Sequence, residues 1–138
     1  MITYRLRLLL LLASLIGACG PKVTSSDPTA GAGNDALYQK WMESHEERAG
    51  EVETYRNPTF SFPVARGREG FTIARLGEFT WHRIAPQDGN MDVPARWRFA
   101  DGSTSVIIVS DPATGLDTDR LTLISLQPTV MKLTSERL

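Results

Sequence analysis

The sequence predicts a mainly β protein: an antiparallel meander curled into a small barrel or half-barrel, preceded by one short α-helix and a flexible tether. Three observations support this fold class. Short segments with alternating apolar and polar residues recur from residue 52 onward. The turn signals between them are close together, so consecutive strands are expected to pair antiparallel. A meander of about six strands curls under its own twist, and closure hides its edges.

The meander is read from its turns and from the residues that alternate between them. Asp101-Gly102 is a tight-turn signal, because glycine tolerates the positive φ of a hairpin turn. Residues 85–94 and 111–119 are predicted as longer loops. Trp97 and Phe99 are expected on the core side of their strand. The predicted strand segments are 71–74, 79–84, 96–99, 106–109, 121–126 and 130–133.

A helix is predicted to precede the meander, over about residues 35–49. Asn34 or Asp35 can cap its first turn, and Leu37, Trp41 and His45 follow one another four residues apart. The face opposite this stripe is expected in solvent and carries Glu43, Glu46, Glu47 and Arg48.

The N-terminus has the pattern of a removable export signal. Arg5 and Arg7 precede an apolar run over residues 8–16, which is too short for a membrane span. The stretch 15–19, Leu-Ile-Gly-Ala-Cys, resembles the lipobox of bacterial lipoproteins, which implies cleavage after residue 18 and a lipid on Cys19. Gly20 follows the cysteine where many inner-membrane lipoproteins have Asp, so the resemblance favours the periplasmic face of the outer membrane.

Three segments are therefore predicted along the chain. Residues 1–18 form the signal peptide, and residues 19–34 form a lipidated, flexible tether because they are small and polar. Residues 35–138 form the helix and the β domain. Without Arg5 and Arg7 the chain has 13 basic and 16 acidic residues, which argues against a nucleic-acid partner. Cys19 is the only cysteine, so no disulfide is expected.

One stretch carries a family resemblance. It contains a Pro/Phe-rich lead-in over 56–63 and the element Arg66-Gly67-Arg68 before the first hairpin. Five further segments belong to the same pattern: 76–79, 85–89, 95–97, 124–126 and 131–133. Together these segments resemble small, mostly uncharacterised lipocalin-like β-meander proteins. The resemblance implies a lipocalin-like barrel and little about function.

Four residues are candidates for a ligand site or the barrel mouth: Arg66, Arg68, Trp81 and Trp97. One interpretation is structural, with an arginine stacked on Trp81 or Trp97 in a cation–π contact of about 0.5–2 kcal/mol. The other is a clamp for an anion or carboxylate at the mouth of the barrel. We favour the structural interpretation.

No catalytic, cofactor or metal motif is found in the sequence. His45 and His82 lie on different elements, and neither has zinc-ligand spacing. His82 could meet Asp88 or Asp92 in space, although the spacing gives no support for this. We therefore expect no enzyme activity, no catalytic residues, no bound metal and no cofactor.

The expected function is that of a membrane-anchored envelope lipoprotein that binds without catalysing. Its partner would be the membrane through Cys19, together with an envelope protein or a small apolar ligand. The alternatives are a small apolar ligand carrier, an inhibitor or immunity-type lipoprotein acting through its long loops, and an enzyme using His82 and an arginine at the barrel mouth.

Overall fold

The structure, a computed structural model, describes residues 35–138, and these form an eight-stranded antiparallel sheet closed into a barrel. The mainly β prediction is confirmed. The predicted signal peptide and tether, with Cys19, lie outside the described residues. The strands are β1 Lys40–Glu43, β2 Glu53–Arg56, β3 Gly70–Ile73, β4 Glu78–Ile84, β5 Asn90–Phe99, β6 Val106–Ser110, β7 Asp117–Leu126 and β8 Val130–Arg137.

The predicted helix is wrong, and no α-helix occurs in residues 35–138. Asp35–Leu37 and His45–Glu47 are single 3₁₀ turns, and the strand β1 lies between them. Spacing of four residues is shared by a helical stripe and by alternate inward positions of a strand. Pairing of β1 with both β2 and β3 decides in favour of the strand.

The strand order departs from a simple meander at one place. Strand β1 lies between β2 and β3, and β2 pairs with β8 to close the barrel. Since β2 and β3 are both antiparallel to β1, they run in the same direction. Residues 57–69, which we call the strap, must therefore pass outside the barrel from the end of β2 to the start of β3. The two predicted long loops are shorter than expected, because β5 already begins at Asn90 and β7 at Asp117.

The interior is packed at one end of the barrel, which we call the packed end. Its aromatic residues contact one another: the rings of Phe71 and Phe79 are stacked at 5.3 Å between centroids, and Tyr55 is 4.8 Å from Phe71. Leu37 lies at this end and accepts a hydrogen bond from the Trp41 indole at 3.1 Å. The other fully or nearly fully buried apolar residues include Ile73, Trp97, Ile107, Val109, Leu121, Met131 and Leu133.

The strap is held to the outside of the barrel by two similar contacts. Arg68 stacks on Phe62 at 4.7 Å and pairs with Glu46 at 2.6 Å. Arg56, at the end of β2, likewise stacks on the strap's Phe60 at 4.7 Å. Arg56 also pairs with Glu47, at 2.5 Å. Each guanidinium thus joins an aromatic ring of the strap to a carboxylate of the second 3₁₀ turn.

These pairs change the titration of the two carboxyl groups. Hydrogen bonds from Arg68 lower the pKa of Glu46 from 4.5 to about 2. Hydrogen bonds from Arg56 lower the pKa of Glu47 to about 2 as well. Glu46 and Glu47, which the sequence predicts on a solvated helix face, therefore help to hold the strap.

Candidate functional site

The end opposite the packed end, which we call the open end, is lined by charged side chains. They occupy inward positions because side chains alternate along a strand. Glu43 lies two residues after the buried Trp41, and Glu69 lies two residues before the buried Phe71. On the following strand Arg83 lies two residues after Trp81. The barrel interior thus changes along its axis from apolar to ionic.

Two adjoining cavities open at this end, with volumes of about 260 Å³ and about 230 Å³. Trp81, Arg83, Asp119 and Arg137 line both of them. These four side chains therefore stand at the centre of the open end. The larger cavity is also lined by Glu43, Arg48, Glu53, Tyr55, Glu69 and Ser135, and the smaller by Val93, Ala95, Ser110, Asp111 and Thr118.

Two of the carboxylates are nearly buried and share one arginine. The side chain of Glu43 is 8% exposed and that of Glu53 is 13% exposed. One Nη2 atom of Arg48 lies 2.8 Å from the first and 3.1 Å from the second. The remaining oxygen of Glu43 lies 3.1 Å from Nδ1 of His45. Charge-assisted hydrogen bonds are what make such burial of a carboxylate tolerable.

Glu53 receives two further hydrogen bonds. The hydroxyl of Tyr55 donates to it at 2.9 Å, and the hydroxyl of Ser135 donates at 2.9 Å. Burial, together with the charge of Glu53, raises the pKa of Tyr55 above its ordinary value. The phenol therefore stays protonated and remains a donor. Both oxygens of Glu53 are occupied by groups of the chain itself.

Arg83 lies over the face of Trp81. Its guanidinium carbon is 4.1 Å from the ring centroid, and its Nη1 is 3.4 Å from a carboxylate oxygen of Glu69. A separation of 3.4 Å is long for a charge-assisted hydrogen bond. The guanidinium is therefore held by stacking more than by its ion pair, and most of its N–H donors are left for other acceptors.

The four candidates from the sequence lie in three different places. Trp81 lines the cavities, whereas Trp97 is buried in the core, where its indole donates to the carbonyl of Ala74 at 2.8 Å. Arg68 belongs to the strap, and its Nη2 also donates to a strap carbonyl at 2.9 Å. Arg66 is exposed on the strap. The arginine that stacks on a tryptophan is Arg83, which is not among the four candidates.

A second polar constellation lies on the outer face of β3, β4 and β5. His82 Nε2 is 2.7 Å from the hydroxyl oxygen of Thr72, and His82 Nδ1 is 2.6 Å from a carboxylate oxygen of Asp92. A carboxylate only accepts, so Nδ1 carries a proton there. The order hydroxyl, imidazole, carboxylate is that of a nucleophilic triad.

This outer constellation lacks the other parts of a hydrolytic site. Thr72 lies in the middle of β3, which pairs with β1 on one side and with β4 on the other. The neighbouring backbone N–H groups are engaged in these ladders, so they cannot serve as donors to an oxyanion. Thr72 also faces away from the cavities of the open end. The geometry supports a cross-strand polar contact.

Within residues 35–138 no three His, Cys, Asp or Glu side chains come together in a way that could hold a metal ion. The same residues include no helix long and apolar enough to cross a membrane. No protein-family model, no curated protein and no solved structure matches the chain. The described residues form an eight-stranded antiparallel β-barrel with a charged open end.

Proposed function

We propose that the protein is an envelope lipoprotein, held to the membrane by a lipid on Cys19, whose barrel binds a small polar ligand at its open end without transforming it. One observation carries the binding role: the interior changes from packed aromatic residues to two charged cavities of about 260 and 230 Å³ at one end. Concave sites with a few convergent polar groups are typical of ligand binding.

The path of the chain supports this arrangement. Asp35, the first described residue, lies at the packed end, where it pairs with Arg75 of the β3–β4 turn. A chain that comes from Cys19 therefore joins the barrel at the end opposite the cavities. The tether would therefore leave the open end free for soluble molecules of the periplasm.

A polar ligand fits better than an apolar one. The interior around Trp97 is filled, and Tyr38 and Phe99 pack against it at 6.1 and 5.3 Å between ring centroids. The larger cavity is bordered by Glu43, Glu53 and other charged side chains, which would lose hydration without compensation beside a hydrocarbon. We therefore favour the polar ligand over an apolar one.

The anchor is tested by metabolic labelling with an acyl-chain probe. Cys19→Ser should abolish the label and release the protein from membranes. Unchanged labelling and fractionation of this variant would refute the anchor and leave the binding role to be tested separately.

The binding role is tested by native mass spectrometry of the protein extracted from its membranes in a mild detergent. We expect a bound small polar molecule on the wild type. Val93→Phe, which fills the smaller cavity, should lose it, whereas Arg96→Phe on the outer face of the same strand should retain it. Wild-type protein that carries no such molecule, or a molecule retained equally by both variants, would refute the role.

A further inference from the structure

Asp119 and Arg137 carry opposite charges and lie side by side, but they do not form an ion pair. They are directly opposite each other on β7 and β8, and both line both cavities. Directly opposite residues have Cβ atoms about 4.5–5.5 Å apart, so opposite charges in such positions usually meet. Yet no ion pair joins these two side chains. On the outer face of the same strands, Arg120 and Glu136 do form one, at 3.1 Å.

Among the described arginines that line the open end, Arg137 is the one without an ion pair. The carboxylates of Glu43 and Glu53 are occupied by Arg48 and its neighbours. Asp111 is engaged through one oxygen, Oδ1, which accepts from two backbone N–H groups of its own turn. In contrast, the guanidinium of Arg137 has no acceptor among the described residues. An arginine carries five N–H donors, so a carboxylate or phosphate is the group that would satisfy it.

Asp119 leaves one acceptor position open beside this arginine. Its Oδ2 accepts from the hydroxyl of Thr118 at 2.7 Å, and no described group donates to its Oδ1. A protonated amine placed there would donate a hydrogen bond to Oδ1 of Asp119. The open end therefore offers an exposed guanidinium without a protein partner and a half-buried carboxylate with one open acceptor position, on neighbouring strands.

The charge of the surrounding wall decides between ligand types. Carboxylates outnumber arginines in the lining of the larger cavity, so a ligand with net negative charge is repelled. A simple cation would leave Arg137 unpaired. A small molecule that carries both charges can pair with both residues and adds no net charge.

We infer that the ligand of the open end is a small zwitterion of the amino-acid type, whose carboxylate binds Arg137 and whose protonated amine binds Asp119. This inference rests on the proposed binding function and specifies its ligand class. Each cavity, at about 230 or 260 Å³, is smaller than the roughly 300–1,000 Å³ of drug-sized pockets. A free amino acid or a dipeptide suits this size.

The ligand class is tested by isothermal titration calorimetry of the lipidated protein in detergent, with the twenty free amino acids and glycylglycine as probes. The best probe is then compared with its amide, which lacks the carboxylate, and with the corresponding acid that lacks the amine. We expect both analogues to bind at least tenfold more weakly, because each loses a charge-assisted interaction. An acid or amide that binds as well as the zwitterion would overturn the inference.

Single substitutions test which residue binds the carboxylate of the ligand and which binds its amine. Arg137→Gln and Asp119→Asn should each weaken the zwitterion roughly tenfold or more, and Asp119→Asn should leave the amine-free acid unchanged. Arg120→Gln and Asp117→Asn, matched changes on the outside of β7, should have no effect. Equal loss in all four variants would refute the assignment.

The two proposals fail in different ways. If native mass spectrometry reveals a bound polar molecule that has no amine or no carboxylate, the binding function stands and the zwitterion is refuted. If no probe of the panel binds and no molecule accompanies the wild-type protein, both proposals are refuted.

Discussion

Arg48→Met removes the single cation shared by two nearly buried carboxylates. The side chain of Glu43 is 8% exposed and that of Glu53 is 13% exposed, and one nitrogen of Arg48 bonds both. Hydrogen bonds to charged groups contribute about 1.5–3 kcal/mol each. The arginine itself is 47% exposed, so solvent screening reduces the sum of the two bonds. We expect a loss of about 2–3 kcal/mol in the free energy of unfolding at pH 7, or roughly 10 °C in Tm.

The assay is urea unfolding followed by circular dichroism at pH 7. Arg120→Gln is the control, because it breaks an exposed ion pair that contributes at most about 1 kcal/mol. A deficit below about 0.5 kcal/mol, or one no larger than that of Arg120→Gln, would contradict the expectation.

Three further predictions concern the barrel itself. Gly70→Ala should lower the free energy of unfolding in urea by about 3 kcal/mol, because the added Cβ would overlap a backbone carbonyl of β1. Gly89→Ala is the control, since its Cβ has space. Equal losses in the two variants would count against the pairing register of β1 and β3. The pKa of both Glu46 and Glu47 is about 2, so their contribution to stability is complete above pH 4.5 and is lost as the pH falls toward 2. Changing both residues to Gln should make the free energy of unfolding depend less on pH across that interval. An unchanged pH dependence would argue against the ion pairs that hold the strap. Trp97→Phe should cost about 2 kcal/mol by thermal or urea unfolding, because it removes a buried hydrogen bond of 2.8 Å; a loss under about 0.5 kcal/mol would show that the bond contributes little.

The fold class could be predicted because most strands are long enough for alternation to show. Segments such as β6, with its buried Ile107 and Val109, are recognisable as strands by their β-branched residues. Strand β1 could not be recognised, because four residues are too few to separate a period of 2 from a period of 3.6. Trp41 and its neighbours satisfy both patterns, and pairing with distant strands decides between them. Barrel closure through β2 and β8 is equally non-local.

The candidate site was only partly predictable. Trp81 stands out in the sequence because it is aromatic, whereas the charged residues around it do not stand out by residue type. A usable signal exists: Arg83, Asp119 and Arg137 each stand two or four residues from an apolar inward residue, on the same face of the strand. A charge that continues an apolar alternation marks the place where the barrel interior becomes polar. The ends of the strands must be known before this pattern can be interpreted.

The strand order explains why some arginines hold the strap while others are available to a ligand at the open end. Because β1 lies between β2 and β3, the strap must cross the outside of the barrel, and it needs fastening along its course. Arg56 and Arg68 provide this through Phe60, Phe62 and the carboxylates of the second 3₁₀ turn. They are thereby engaged away from the cavities. Arg137 makes no contact of this kind, and Arg83 meets only the last residue of the strap, Glu69, at 3.4 Å. Both therefore retain N–H donors that a ligand at the open end requires.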